Sequence, residues 1–451
     1  MKSFLSNIWL ILYVSAWIVT IAVYQKKRKH FDAGSVLLCS YLLYSATSLL
    51  LYNSDNPFHT FNSISLLPFI YLYLMLMLAF SPILKYDSNK INEIQKPTTV
   101  VLNTVCITFI VASLVQIPAI ILDFSVSILR LLTDSSGGQE LYAASLFNAD
   151  SIGDRNISNL ASIISNTFGN FGILLLFYYL TLKNHSKLIL IGLFLSCIMG
   201  VLTSISLGQR GPIAAIILSM TITYFALKKF FRPQSNKAIK IIGIIILIAT
   251  AIPLLALTTS RFGGIDGGPL PTIYYYVGQE NLYFNNYGLD NGGIRYGDRT
   301  FPLFKSMLGF DNVPQNFLER RQKYPNLEIN DEVFVGFVGD FTFDFGPFVA
   351  PIIFIIFTLF VLRKTRIRHG RILFHQLILI HFVMCLCMLG GMKLYPFSDV
   401  GGNLQLIMYF LAYICFKLDY SLKTLLPQRL RKTSIVAIKH LPENTTVATP
   451  S

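Results

Sequence analysis

Eleven apolar runs, each near the length that crosses a bilayer, divide this chain, and they fix its fold class before any motif is considered. A helix needs about 20 mostly apolar residues to span the hydrocarbon core. Such runs lie near 4–25, 33–52, 65–84, 99–121, 159–182, 187–207, 212–227, 239–258, 335–362, 372–392 and 401–418. Lipid leaves unpaired backbone groups unsatisfied, so spans of this length are expected to be helices, not an open sheet. Composition agrees: 53% of residues are hydrophobic and only 13% are charged, against about a quarter charged in a soluble domain. The expected class is an all-α polytopic membrane protein of about 11 transmembrane helices with one large external loop.

Loop charge sets the expected orientation, because translocated loops are poor in Lys and Arg. Alternate loops are strongly basic: Lys26 to Lys29, then Lys85, Lys90 and Lys96, then Lys183 and Lys187, then Lys228, Lys229 and Arg232, then Arg363 to Arg371. The segment after the last span adds Lys423, Arg429, Arg431 and Lys432. This pattern predicts a cytoplasmic C-terminus and an outside N-terminus. The net charge of +14 is then a topology signal. Nucleic-acid binding would need basic residues clustered on one soluble face, and these are scattered over juxtamembrane loops.

The first span carries its charge cluster after the apolar core, opposite to a signal peptide, so it is expected to stay as an anchor. All six cysteines fall inside predicted spans without metal-type spacing to a histidine, which points to packing.

The predicted topology turns four segments outward: 53–64, 122–158, 208–211 and 259–334. In the second, Asp123 to Leu132 reads as an interfacial helix ahead of the Gly137-Gly138 turn. The third, Gly208-Gln209-Arg210-Gly211-Pro212, joins two apolar runs with almost no spacer. An obligatory cation at that depth needs a partner or a water-filled cavity, and is a functional candidate by default. Snorkelling to headgroups is its plain alternative. Arg261, followed by Gly263 and Gly264, repeats the arrangement at the outer end of the next span. Two guanidiniums at similar depth suit the oxygens of a phosphate or diphosphate.

The long segment 259–334 is rich in aromatics and amides, with Tyr276, Tyr287 and Tyr296 beside Asn281, Asn285, Arg295 and Arg299. Aromatic faces next to polar groups suit sugar rings, although a small packed core or an interfacial belt uses the same residues. Asp340 and Asp344 open the ninth span four residues apart, hence on one helix face. They form a polar pocket with the external arginines, or pair with Arg210 or Arg261 as structural ions. No HxxxH, DxD, CxxC or phosphate-binding loop is present, so no metal, cofactor or nucleotide is expected.

The order of these features resembles the O-antigen or oligosaccharide repeat-unit polymerases, the Wzy-type family. The resemblance rests on the eleven-span layout, the Gly208 to Pro212 turn, Arg261 with its glycines, and the Gly336 to Pro347 run re-entering the membrane. It implies a GT-C-like, metal-independent, inverting glycosyltransferase at the periplasmic face of the inner membrane. Its substrate is then oligosaccharide carried on undecaprenyl diphosphate, and a chain-length regulator and a flippase are its implied partners. Arg210 and Arg261 would neutralise the diphosphate leaving group, with Gln209, Arg295, Arg299 and the loop tyrosines holding substrate. Asp340 or Asp344 would orient or deprotonate the acceptor hydroxyl.

Two competing readings remain. An O-antigen ligase generally places a histidine in its large external loop, and 259–334 contains none. A flippase or secondary transporter tends to repeated halves and midplane charges, whereas this chain has an odd span count and charges at the outer surface. The expected division is 1–258 with eight spans, 259–334 as the large loop, 335–418 with three spans, and 419–451 as a tail.

Overall fold

The computed structural model describes residues 4–54, 60–133, 141, 156–262, 269–331, 333–367 and 369–439, with backbone alone in parts of some helices, including 255–262 and 426–439. The order is α1 Phe4–Arg28, α2 Ala33–Asn53, α3 Leu66–Lys85, β1 Glu93–Gln95, α4 Thr99–Leu114, α5 Ile117–Thr133, α6 Asn156–Thr181, α7 Lys187–Ser206, α8 Arg210–Leu227 and α9 Pro233–Phe262. It continues with α10 Pro269–Tyr287, α11 Pro302–Met307, α12 Phe317–Lys323, α13 Gly336–Lys364, β2 Arg371–Leu373, α14 Phe374–Gly390 and α15 Asp399–Lys439. Among the described residues, nine helices are long and apolar enough to cross a membrane, and a tenth span forms if α4 and α5 count as one. The chain is therefore an all-helical, multi-pass membrane protein.

Two spans depart from expectation. The run at 99–121 is bent by 47° between α4 and α5; Pro118, in the first turn of α5, lacks an N–H and cannot continue a helix from below. The run at 372–392 becomes α14, only 17 residues long but buried at every position except Gln376. A helix apolar on all sides belongs inside a bundle, and α14 is its central post. The Tyr41 hydroxyl donates to Cys387 O of α14 at 2.9 Å, and its ring packs with those of Trp17 and Phe80, centroids 4.7–6.1 Å apart. The faces turned outward are also apolar, as at Ile11, Val19, Ile244, Ile248, Phe348 and Ile356, which suits hydrocarbon contact and not water.

The basic loops gather at one end of the bundle. Lys229 Nζ donates to the carbonyls of Asn89 and Ile91 at 2.9 and 2.8 Å, Arg28 pairs with Asp87, and Lys423 Nζ donates to Lys96 O at 3.1 Å. The parallel pairing of β1 with β2, Glu93 opposite Arg371, ties two more of these loops together. Asp32 caps α2 there, accepting from the Ser35 N–H at 2.9 Å while its own N–H donates to Ser35 Oγ. The expected boundary at 419 falls inside α15, which runs unbroken to Lys439.

The segment 259–334, expected as a loop, is largely built structure at the other end. Its first residues finish α9, and α10 lies against α2 so closely that a β-carbon on Gly278 would come within 2.7 Å of the backbone at Thr47 and Ser48. Ser48 Oγ donates to Gly278 O at 2.7 Å, and Asn281 bridges Ser48 and Tyr13. Backbone cannot step aside as a side-chain tip can, so Gly278→Ala is expected to cost about 1–3 kcal/mol and to lower the detergent melting temperature. Gly243→Ala, where nothing lies within 4 Å, is the control and should not lower it.

Candidate functional site

Tyr296 and Gly297 take positive φ, 54° and 81°, and turn the chain so that Arg295 and Arg299 point back at the first turns of α13. Arg295 is buried and uses all three nitrogens. Nε reaches Asp344 Oδ1 at 2.7 Å, Nη1 reaches Asp331 Oδ1 at 2.7 Å and Nη2 reaches Asp340 Oδ1 at 3.1 Å. Arg299 adds ion pairs to Asp331 Oδ2 at 3.0 Å and Asp340 Oδ1 at 2.9 Å. Arg320, from α12, pairs with Asp331 and with Asp399 Oδ1 at 2.8 Å. Burial alone would neutralise such groups, yet the arginines, Arg299 foremost, hold Asp331 down to about 2 despite its burial. Burial likewise works against charge on Arg295 and Arg299, and the neighbouring aspartates overcome it and raise both.

The remaining lone pairs of Asp340 and Asp344 are filled by backbone. Asp344 Oδ2 accepts from the Thr300 N–H at 2.7 Å, and Asp340 Oδ2 accepts from the Tyr395 N–H at 2.6 Å. The two carboxylates do share a helix face, as their spacing requires, but that face meets Arg295 and Arg299 instead of Arg210. They thus clamp 295–300 and 395 onto α13. A second cluster, Asp298 with Lys305, Lys323 and Tyr324, fixes α11 and α12 in the same way. Charge-assisted pairs of this kind set geometry strictly because each carboxylate has several donors.

Above this clamp lies a cavity of about 1150 Å³, within a half-open cleft. Arg299, Arg320, Asp331 and Asp399 contribute to its wall. Arg210, Arg321 and Lys393 add cations, and Tyr275, Tyr276 and Phe334 add aromatic rings. Arg210 opens α8, and its guanidinium carbon lies 4.8 Å from the centre of the Tyr276 ring, a cation–π arrangement that helps to fix the group at the wall. Gly208, at φ 63°, makes the turn that Gln209 and Arg210 need. Gly211 instead makes room for a neighbour, since a β-carbon there would fall on the Lys393 ammonium. Comparison with protein-family models, curated proteins and solved structures finds no match.

The Lys393 side chain makes no hydrogen bond or ion pair among the described residues, and burial lowers its ammonium to about 8. Together with the backbone N–H groups that open α8, it gives the cavity an anion-binding wall. Two carboxylates border it: Asp331, buried among its arginines, and Asp399, whose side chain is 43% exposed, in contrast to Asp340 and Asp344.

The expected site residues thus divide. Gln209, Arg210, Tyr276 and Arg299 line the cavity. Arg295, Asp340 and Asp344 lie in the buried clamp. Tyr287 stacks on Tyr283 in a small apolar cluster, and Tyr296 is 70% exposed on a turn outside the cavity lining. Arg261 belongs to the last turn of α9, and its side chain lies outside the described residues. The two amides expected beside the rings are used internally: Asn281 bonds Ser48 and Tyr13, and Asn285 bonds Ser65. Sequence reading passed over Arg320, Asp331, Lys393 and Asp399. A signal was available for Lys393, a cation two residues after the Gly390-Gly391 end of an apolar run.

Proposed function

We propose that this chain is a GT-C-like membrane glycosyltransferase that polymerises oligosaccharide repeat units carried on undecaprenyl diphosphate. The observation that carries the reading is the cavity, where Arg210, Lys393 and Arg321 meet Tyr275, Tyr276 and Phe334 at the ends of membrane helices. Fixed cations suit a diphosphate, and rings beside polar groups suit sugars. One wall includes Leu254 of α9, a helix whose Ile241, Ile244, Ile245 and Ile248 are exposed; a lipid-anchored substrate can lie along such a helix. In the reaction the acceptor hydroxyl attacks the anomeric carbon, the bond to the diphosphate breaks, and the configuration inverts. Arg210 and Lys393 stabilise the charge that develops on the leaving diphosphate. Asp399, the more exposed of the cavity's two carboxylates, takes the acceptor proton or orients the hydroxyl, the role expected at first of Asp340 or Asp344.

The reading predicts a pH profile. Arg210, Arg299, Arg320, Arg321, Asp331 and Asp399 share the cavity with Lys393. The guanidiniums stay charged across the accessible range, so the ammonium is the cation that titrates. It is protonated below its value of about 8 and lost above it, so kcat/KM should fall as pH rises through about 8. Lys393→Arg should move that limb upward; an unchanged limb would remove Lys393 from the site. For orientation, the reading puts the basic end in the cytoplasm and the cavity outside. A cysteine at exposed Tyr296, in a chain cleared of its own cysteines, should react with an impermeant thiol reagent from the periplasmic side. Reaction only after inner-membrane lysis would invert the map.

Polymer synthesis by the purified protein from lipid-linked units tests the activity. Transfer of finished glycan to a lipid A core would instead identify a ligase, and movement of units without new glycosidic bonds would identify a flippase.

A further inference from the structure

A second cavity, of about 500 Å³, adjoins the first, and the two share Gln209, Pro212, Lys393 and Leu394. It lies among membrane helices, yet Ser165, Asn166, Asn170, Ser196, Thr203 and Ser204 line it on α6 and α7. A polar void among spans is costly unless something polar fills it. The hydroxyl protons are already committed: Ser196 donates to Gly192 O at 2.9 Å, Thr203 to Met199 O at 2.9 Å and Ser204 to Gly200 O at 2.7 Å. Their oxygens retain accepting capacity, so this wall favours a ligand that brings hydroxyl donors. Among the described residues no carboxylate lines it, and its one cation, Lys393, stands on the wall shared with the larger cavity.

The backbone marks the same place. Within α6, Gly169 leaves helical geometry at φ 40° and ψ −123°, and a β-carbon there would come within 2.8 Å of the Gln405 side chain. Both residues line the smaller cavity. Irregular backbone at membrane depth is tolerated where it borders a cavity, and broken helices of this kind form binding sites in membrane proteins.

We propose that the smaller cavity is a carbohydrate subsite, which takes the uncharged, hydroxyl-rich sugar next to a diphosphate held at Lys393 and the first turn of α8. The volume falls within the range of about 300–1,000 Å³ usual for small-molecule sites. An isoprenoid tail would leave the spare accepting capacity of these oxygens unused, and a second anion would find only the cation already engaged. The inference rests on the polymerase reading for its ligand and adds where the first sugar goes.

The test compares binding of two probes to the full chain in nanodiscs: undecaprenyl diphosphate, and the same lipid diphosphate bearing one N-acetylhexosamine. In the wild type the sugar-bearing probe should bind about tenfold more tightly, the worth of one or two well-made hydrogen bonds. Asn166→Leu and Thr203→Leu, which fill the cavity with apolar atoms, should each abolish that advantage and leave the sugar-free probe unchanged. Lys393→Met should weaken both probes, and Lys393→Arg should recover both. A sugar advantage that persists in both leucine variants overturns the subsite and leaves the polymerase reading standing. A wild type that binds neither probe overturns the reading itself, and the subsite with it.

Discussion

Arg295→Ala should leave little or no folded protein in the membrane. The guanidinium it removes is the common partner of Asp331, Asp340 and Asp344, at 2.7, 3.1 and 2.7 Å. All three carboxylates are buried, and Arg299 and Arg320 cannot satisfy the vacated oxygens without abandoning their own. Breaking a buried ion pair by deleting one partner costs about 3–5 kcal/mol, a large fraction of the stability of most proteins. The loss should appear as a collapsed monodisperse peak on size-exclusion in detergent. Arg295→Lys should fare little better, because an ammonium cannot reproduce three directed N–H bonds. Acid should act on the same clamp. Asp331 is held at about 2, below its ordinary value of about 3.9, so its contribution is complete above that ordinary value and disappears as pH falls through about 2. A melting temperature unchanged by Arg295→Ala would mean that the clamp does not hold the segment 288–335 in place.

Arg210→Ala should do the reverse, abolishing polymer while the protein accumulates normally. The side chain lies over Tyr276 at the cavity wall and outside the buried clamp, so its removal leaves no carboxylate of that clamp unpaired. If it stabilises the leaving diphosphate, its loss should reduce kcat by about 10² to 10³, the usual worth of one preorganised charge-stabilising donor. Arg210→Lys should recover part of that, since a point charge replaces a bidentate fork. Polymer of normal length and amount from Arg210→Ala would remove it from the reaction.

The contrast between these two arginines shows what a sequence can and cannot disclose here. Arg210 was legible because an obligatory cation between two apolar runs, with glycines on both sides, has no inexpensive explanation. The spans were legible from length and composition, and α14 was found although it is short, because its apolar run is uninterrupted. The partners of Asp340 and Asp344 were not legible. Their arginine partners lie 41 to 49 residues away in the chain, on a turn whose positive φ at Tyr296 has no marker other than the adjacent glycine. Helix α10 was hidden for another reason: its Tyr and Asn residues satisfy one another and α2, so it lacks the apolar period that identifies a helix. Lys393 sits in the short connection between α14 and α15 and Asp399 opens α15, and a single charge there resembles any surface residue until the fold turns it toward Gly211 or Arg320.

The clamp and the cavity divide the charges at this end of the bundle into two groups. Arg295, Arg299 and Arg320 are tied to aspartates, while Arg210 lies over the Tyr276 ring and Lys393 makes no hydrogen bond or ion pair among the described residues. In the proposed reaction a diphosphate at this wall would meet cations that the fold already holds, which is the condition under which electrostatic stabilisation is most effective.

The most direct measurement is the glycan profile of cells that lack this chain, complemented with the wild type or with Arg210→Ala. The account predicts that the polymer ladder collapses to single repeat units without the chain, returns with the wild type, and stays collapsed with Arg210→Ala at equal protein level. A full ladder in cells lacking the chain would contradict the polymerase assignment.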